Sequence, residues 1–572
     1  MAIDALPGPV RRGVFRPLDL IARGILRDGD EHRNAGAVHL ISLHALGRAR
    51  DVRTEAIRLA SGSHVRSAVR AARVALALGD PALADAIMRP YPPDPDDRAT
   101  TALRGEIDFR IGRYSSALER LERSSRNGRR SSITRHMIER SRSELTVLAP
   151  AWRPDVGTGA PLADRVPGRI LHLLTNSLPY RQAGYTVRTQ SVARCQRAHG
   201  LDPVMATRAG FPRSEGVGHA PRRDIVDGVT YHRLRPDLDP AAGPDAMATE
   251  TALAAVALIR DLRPSVLQPT TNHLNGQIAL ALGARFGLPV VYEVRGFLEE
   301  TWLSRMGEAA ADSDRYLAAR AVETAVMDAA DAVVTLSETM RTDILSRSHI
   351  DPDHVVVVPN GVDVDRFTPG PRDEVLASSL GIGPHDTVIG YISSFTSYEG
   401  IGYLIRAAAL LRDRGRRIRL LLVGDGEARA DLESVAHEVG LDDGTAIFTG
   451  RVPHDDVLRY YRTIDVFVVP RTNDRVSQLV TPLKPYEAMA MGKALVVSAV
   501  GALLEIVTEN ETGRSFTPED PVSLADTIEP LLDDPAARAR LGAAAREWVA
   551  ANRTWDQNGR RYRALYERLG IV

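Results

Sequence analysis

Twice in this sequence short apolar strands alternate with helical segments, and that alternation restricts the fold more than any other feature. From Arg169 the runs RILHLLT, DPVMATR, SVLQPT and PVVYEV are separated by helix-like stretches such as TVRTQSVARCQRAHG and NGQIALALGARFG. After PNGVDVDRF the pattern restarts. TVIGYIS, RLLLVGD, AIFTG, DVFVVP and ALVVS read as strands, with YLIRAAALLRDRG, LESVAHEVG and HDDVLRYYRTI between them. Strands of this kind, joined by helical crossovers, predict parallel sheets covered on both faces. Two Rossmann-like, doubly wound α/β domains therefore follow, over 169–360 and 361–572. The last helical stretch closes the second sheet, and its final part is a candidate for return to the first domain. In such sheets ligands bind in the crevice at the carboxyl ends of the strands, so the loops there are where chemistry is sought.

Residues 1–150 carry helical periodicity instead. LHALGRARDVRTEAI, LALGDPALADAI and DFRIGRYSSALERL each set a Gly after an apolar helix end, at Gly47, Gly79 and Gly112, at intervals of 32 and 33 residues. The spacing, with Ala84, Tyr114 and Ala117 at small or aromatic positions, resembles tetratricopeptide-type helical hairpins, which bury their faces only by stacking on neighbours. An irregular helical bundle fits the same residues. Eleven arginines fall between Arg104 and Arg142. That run is read either as solvated surface or as a face for an acidic protein partner or an anionic membrane, and no nucleic-acid motif accompanies it. Residues 151–168, rich in Pro, Gly and Ala without periodicity, are expected to be a linker.

Composition narrows the class. A chain of 572 residues is too long for one core, its formal charge is zero, and its apolar content of 44% is ordinary. No apolar run approaches the roughly 18 residues of a spanning helix, and the N-terminus lacks the apolar core of a signal peptide. One cysteine, Cys195, forms no internal disulfide and is read as a small buried residue. A soluble, cytoplasmic protein is the expectation, with peripheral association at the inner membrane face as a variant.

The stretch Thr481–Gly492, TPLKPYEAMAMG, lies between the strand-like IDVFVVPR and ALVVS. Pro482 and Pro485 hold its entry extended, Pro485 suits a first helical turn, and Gly492 ends the helix. Lys484 stands at the helix start and Arg471 at the end of the preceding strand, so a phosphate would meet positive charge there. Lys484 and Lys493 are the chain's two lysines. Glu487 can accept hydrogen bonds from paired hydroxyls such as those of a ribose. The plainer reading stands beside this one: Glu487 complements the helix dipole and Lys484 is a solvated charge.

PNGVDVDRFTP, LLLVGDGEARADL, FTGRVPHDDVLRYYRTIDVFVVPR and PYEAMAMGKALVVSAVGALLEIV, in that order, resemble the retaining GT-B glycosyltransferases of family four, over roughly residues 169–572. The resemblance implies a nucleotide-sugar donor held mainly by the second domain and an acceptor held mainly by the first. The acceptor is a glycan, a lipid-linked sugar or a small molecule, and no metal or other cofactor is implied. It gives Glu487 to the donor ribose. Arg451, in TGRVP, falls in a segment that lies against the base, with a strand-end surface charge as the other reading. Lys484 and Arg471 are assigned the cationic work at the diphosphate, with Thr481 and Pro482 in the same loop.

The sequence departs from the family pattern in two places. A G-R-L…E-K-G segment is replaced by SSFTSYEG, which puts Ser394 and Glu399 where an Arg and a Lys are usual, and Leu479 stands at the first of two usual glutamates. In the first domain Gly184 begins a helix that approaches the diphosphate from the other side. Arg188, one turn on, is expected to face solvent. Arg295 is read either as steadying phosphate or acceptor or as an ion pair with Glu299 or Glu300. His273 is either an acceptor-side base or a satisfied loop residue, with Asn275 beside it. Two other classes remain at this point: a nucleotide-sugar epimerase of the same fold, and a non-catalytic scaffold with a vestigial GT-B part.

Overall fold

The computed structural model describes residues 65–91, 97–125, 131–235, 242–453 and 455–572, together with 54, 55 and 58. They form two compact units, the described residues up to Ala149 with Arg305–Ala319, and Pro150–Ser304 with Arg320–Val572.

The first unit is helical. Helices Val65–Ala77 and Pro81–Met88 are followed by Arg98–Ile111, Tyr114–Ser124 and Ser132–Val147. Asp80 and Asp97 start two of them by accepting from the backbone N–H groups of Leu83 at 2.8 Å and Ala99 at 3.0 Å. Gly79 and Gly112 sit at φ +82° and +84°, where a helix ends on a left-handed residue. Gly47 lies outside the described residues. Arg305–Ala319 joins this unit: Arg113 Nη2 donates to Ala309 O at 2.8 Å, and the Ser115 N–H donates to Asp314 Oδ2 at 2.7 Å. The domain expected over 169–360 is therefore interrupted. Short-range pattern does not reveal that excursion, because its anchors are polar contacts almost 200 residues apart.

The second unit contains both α/β domains. In the first, strands β1 (Arg169–Leu174), β2 (Asp202–Thr207), β3 (Arg223–Val226), β4 (Val229–Arg233) and β5 (Val266–Pro269) lie in the order β3-β4-β2-β1-β5. Strands β6 (Val291–Glu293), β7 (Ala332–Thr335) and β8 (Val355–Val357) continue beside β5 through the bridges Leu267 to Val290 and Thr270 to Glu293. All pairings are parallel except β3 with β4, a hairpin turning at Asp227-Gly228 with positive φ at both residues. The second domain is a six-stranded parallel sheet. Its strands are β9 (Thr387–Ile392), β10 (Ile418–Val423), β11 (Ala446–Gly450), β12 (Val466–Val469), β13 (Ala494–Ser498) and β14 (Arg514–Phe516), in the order β11-β10-β9-β12-β13-β14. Near-continuous apolar strands such as VFVV and ALVVS are buried along their whole length.

Residues 151–168 are not a free spacer. Trp152, Val156 and Leu162 pack on the core of the first domain, and the Leu162 N–H donates to Phe286 O at 2.8 Å. Three apolar side chains within an otherwise Pro- and Gly-rich segment are enough to bind it down. The last helix, Trp555–Arg568, also lies on the first domain, where Tyr562 and Tyr566 share a core with Ile170, Val192 and Cys195. Burial pushes the Cys195 thiol up to about 12, which makes it an inert core residue. The two chain crossings between the domains pair with each other, the Val362 N–H donating to Arg553 O at 2.9 Å. Among the described residues no helix is long and apolar enough to cross a membrane.

Two glycines bring the strand-end loops of the second domain together. Gly424, at φ +141°, lies against Ser393 O, and Gly400, at φ +67°, lies against Pro470 O, so that a Cβ at either site would overlap a carbonyl. Gly400→Ala is accordingly expected to cost about 3 kcal/mol or more, combining a disfavoured φ with backbone overlap. A thermal melt of the variant tests this, and an unchanged midpoint would contradict it.

Candidate active site

The carboxyl ends of β9, β12 and β13 converge on the segment 470–492. A five-residue helix, Arg475–Leu479, leads into Val480-Thr481-Pro482-Leu483, and the helix Lys484–Ala490 follows with Pro485 in its first turn. Glu487 is buried there and accepts from Tyr461 Oη at 2.7 Å and from Lys484 Nζ at 2.8 Å. Burial, and then the Glu487 carboxylate, push the Tyr461 phenol well above its usual range, so it remains a donor to that carboxylate. Gly184 opens the helix Gly184–Ala198 across from this loop: a Cβ on it would stand 3.8 Å from Leu483 Cδ1. One on Gly296 would stand 3.4 Å from Val480 Cγ2. Two glycines of the first domain thus line the seam against which the loop rests.

Arg471 meets protein groups rather than open space. Its Nη2 donates to Glu399 Oε1 at 2.8 Å and its Nη1 to Val480 O at 2.7 Å, while Nε lies 3.4 Å from Glu399 Oε2. Burial works against its charge, and the Glu399 carboxylate more than offsets that and raises its pKa. Tyr391 Oη donates to the same carboxylate. Lys484 is therefore the half-buried cation of this loop, its side chain 28% exposed where that of Arg471 is 7% exposed. Ser394 and Arg451 are exposed in the loops after β9 and β11, and Pro482 is half-buried. Thr481 is buried, and the role its contacts show is that of its carbonyl, which accepts from Asn360 Nδ2 at 2.8 Å.

In the first domain two expectations are corrected. Arg188 is buried rather than solvent-facing. It donates from Nε to Glu293 Oε1 at 3.0 Å, from Nη2 to Val358 O at 2.8 Å, and from Nη1 to Pro359 O and Asn360 Oδ1, both at 3.0 Å. A helix packed beneath the interdomain crossing leaves its side chain no route to water. Arg295 pairs with neither Glu299 nor Glu300. It donates to Glu293 Oε2 at 3.0 Å, Thr189 Oγ1 at 2.6 Å and Tyr185 O at 3.1 Å. Glu299 takes Arg347, and Glu300 takes Arg320 and Arg475. Burial would raise the Glu293 pKa, but Arg295 and Arg188 more than offset it and hold the carboxylate ionised.

His273 is the first residue of the helix His273–Phe286, with its Nδ1 3.2 Å from Gln277 Oε1. Its backbone N–H donates to Glu323 Oε1 at 2.9 Å. Asn275 is buried and donates to Thr175 Oγ1 at 3.0 Å and Thr270 O at 2.9 Å. Glu323 was not singled out in the sequence, where it is one more glutamate in an amphipathic helix. Burial and then Glu299 push its carboxyl up to about 8, and Tyr292 Oη donates to it at 2.6 Å.

Known proteins share this fold. Residues 183–361 match the family model described as glycosyl transferase 4-like domain, and residues 373–548 match the one described as glycosyl transferases group 1. D-inositol 3-phosphate glycosyltransferase from Corynebacterium diphtheriae is 28% identical over 402 residues, 67% of this chain and 89% of that protein. 2-Deoxystreptamine glucosyltransferase from Streptomyces kanamyceticus is 32% identical over 235 residues, 40% of this chain and 58% of that protein. Among solved structures, sucrose-phosphate synthase from Thermosynechococcus elongatus superposes with a TM-score of 0.60 at 22% identity, covering 70% of this chain and 99% of that one. Anabaena HepE in complex with UDP-glucose gives 0.54 at 18% identity, covering 71% and 100%. At these identities the structural likeness establishes the fold.

Glu323 makes stability depend on pH in a stated direction. Its carboxyl titrates near 4.5 when unfolded and near 8 when folded, so across that window the folded state holds the extra proton. Stability therefore falls as pH rises between about 5 and 8. Glu323→Gln, which stays neutral, is expected to flatten that fall. Melting midpoints of both proteins at the two ends of the window measure it, and parallel curves would refute the assignment.

Proposed function

The chain belongs to the glycosyltransferases of the GT-B fold and uses a nucleotide-sugar donor, and from that premise we propose that it transfers a hexose-type unit, with retention of configuration, to a hydroxyl acceptor. The acceptor is a glycan, a lipid-linked sugar or a small molecule. Two relatives whose names carry small-molecule acceptors, D-inositol 3-phosphate and 2-deoxystreptamine, favour the last of these. A role in polysaccharide or glycoconjugate biosynthesis on the cytoplasmic side of the membrane fits that chemistry, with the helical unit used for docking rather than for catalysis.

The observation that carries the reading is the placement of Glu487. It is a buried carboxylate at the end of a loop facing Gly184, held by Tyr461 and within reach of Lys484. In the proposed complex Glu487 accepts from the paired ribose hydroxyls. As the bond between sugar and phosphate breaks, negative charge grows on the nucleoside diphosphate, and Lys484 supplies positive charge where it grows. Its ammonium releases Glu487 to the ribose and turns to the phosphate. This reading requires no metal ion, and the departing phosphate itself takes the proton of the acceptor hydroxyl, so no protein nucleophile is invoked. Gly184 allows the donor phosphates to approach the backbone of the first domain, and Arg451 and Ser394 border the donor pocket. Arg471 acts indirectly, through its hold on Val480 O, and Arg295 through the first-domain helix that carries Gly184. His273 borders the acceptor side.

Glu487→Ala and Lys484→Ala are each expected to lower transfer by about 100-fold or more with the fold intact, Lys484→Ala melting nearly as the wild type and Glu487→Ala lower, because the buried Tyr461 hydroxyl loses its acceptor. Donor binding is checked by the rise in melting temperature with UDP-, GDP- and ADP-sugars, UDP-glucose first. The anomeric configuration of the product, read by NMR, tests retention. Near-normal turnover in both variants would remove the basis of the assignment.

A further inference from the structure

Between the edge strand β8, the helix Glu338–Arg347, the last helix and Tyr486 lies a cavity of about 420 Å³, within the range of small-molecule sites. None of the residues assigned to the donor or acceptor above lines it. Four arginines do: Arg341, Arg553, Arg561 and Arg568. Elsewhere in this unit buried guanidiniums meet buried carboxylates, as Arg188 and Arg295 meet Glu293, Arg347 meets Glu299 and Arg471 meets Glu399. In the cavity the hydrogen-bond acceptors are neutral, and the one ion pair of these four arginines among the described residues is the 4.0 Å contact of Arg341 with Glu338. Arg553 Nη1 donates to Asn552 O at 3.1 Å, Arg561 Nη1 to Asn558 Oδ1 at 3.0 Å, and Arg341 to Val355 O at 3.2 Å and Pro352 O at 2.9 Å. Among the described residues Arg553 Nε is buried with no hydrogen-bond partner. Both arginines line the cavity, and burial and then the neighbouring Arg553 cation lower the Arg561 pKa.

Three carboxylates share the lining and do not cancel that charge. Glu505 accepts from the backbone N–H groups of Glu338 at 3.1 Å and Thr339 at 2.5 Å, capping a helix. Glu338 stands 4.0 Å from Arg341, and it and Asp353 are exposed. Among the described residues the cations around Arg553 and Arg561 thus lack a close counter-charge, and the cavity is large enough to admit one.

We propose that this cavity binds a soluble phosphate-bearing small anion at the interdomain hinge, through Arg553, Arg561 and Arg568. Guanidinium forks match the oxygen spacing of phosphate, and several converging forks favour a multiply charged group over a halide or a carboxylate. The site is built into the crossing itself. Pro359 forms part of its wall, and the backbone of Arg553 accepts from Val362 on the other crossing strand. An anion there relieves the repulsion between the arginines and ties the two crossings together, so occupancy stiffens the hinge.

Inorganic pyrophosphate, titrated calorimetrically into the full chain, is the test probe. The wild type is expected to bind it saturably and to melt higher in its presence. The double variant Arg561→Gln, Arg568→Gln is expected to bind about tenfold more weakly with its UDP-glucose response unchanged. Lys484→Ala, which alters the donor loop, should keep the pyrophosphate affinity, which separates this site from the cleft and from any failure of the donor assignment. Should the double variant melt early, Arg561→Lys, which keeps the charge, and the exposed Arg568→Gln replace it, the first retaining binding and the second losing part of it. Equal affinity in wild type and double variant, or a loss confined to Lys484→Ala, overturns the proposal. Binding to phosphatidylglycerol vesicles without any to pyrophosphate also overturns it, in favour of a lipid headgroup.

Discussion

The arrangement of the second unit depends on where the Arg188 guanidinium spends its hydrogen bonds. It is buried between the first-domain helix that begins at Gly184 and the crossing at Val358, Pro359 and Asn360, and it bonds to all three crossing residues and to Glu293 at once. A charge taken out of water is costly unless it is both paired and fully hydrogen-bonded, and here the pairing is supplied by β6 and the remaining bonds by the crossing. Removing either the carboxylate or the crossing carbonyls would leave a buried charge without its partners. The return of the last helix completes the enclosure. Asn558 Nδ2 donates to Pro359 O at 2.8 Å, and Trp555 lies 5.9 Å from the Arg188 guanidinium.

A second charge pattern explains how the segment 470–492 is held. The loop after β9 carries Glu399 where the family resemblance leads one to expect a lysine, and the end of β12 carries Arg471. The two have met each other, so the positive charge that the loop lacks is supplied from the neighbouring strand and then consumed internally. The pair fixes the start of the segment 470–492 through Val480 O, while Gly400 admits Pro470 O to the same corner. That leaves Lys484 as the half-buried cation near Glu487. The same two residue types that look like a phosphate grip in the sequence are divided by burial, one into a scaffold and the other into a candidate for chemistry.

The strands and helices of both α/β domains were legible because apolar periodicity is local, and the loop 481–492 was legible because proline, glycine and charge fall there in a short order. Three kinds of feature were not. The β3–β4 hairpin turns at Asp227-Gly228, a turn signal that does not say which sheet its strands join. Strands β7, β8 and β14 are three or four residues long and, unlike the equally short β5, β6 and β12, do not stand out from the segments around them. The partners of Arg188, Arg295 and Arg471 lie between 2 and 172 residues away, and a guanidinium's choice among several nearby carboxylates depends on packing that no spacing records. Glu299 and Glu300 were reasonable partners for Arg295 on proximity, but their helix directs them to Arg347, Arg320 and Arg475 instead.

Asn360 connects these levels. Its Oδ1 accepts from Arg188 and its Nδ2 donates to Thr481 O, so one buried amide in the crossing touches both the first-domain core and the loop that carries Lys484 and Glu487. Rotation of one domain about the crossing must either break these bonds or carry that loop along with it. An aspartate there would keep the acceptor for Arg188 but could not donate to Thr481 O, and an alanine would do neither. Because both bonds are buried, the cost of breaking them includes two unsatisfied polar groups as well as the lost contacts. The register of the loop 480–483 is thereby tied to the angle between the domains, and a ligand that changes either one bears on the other.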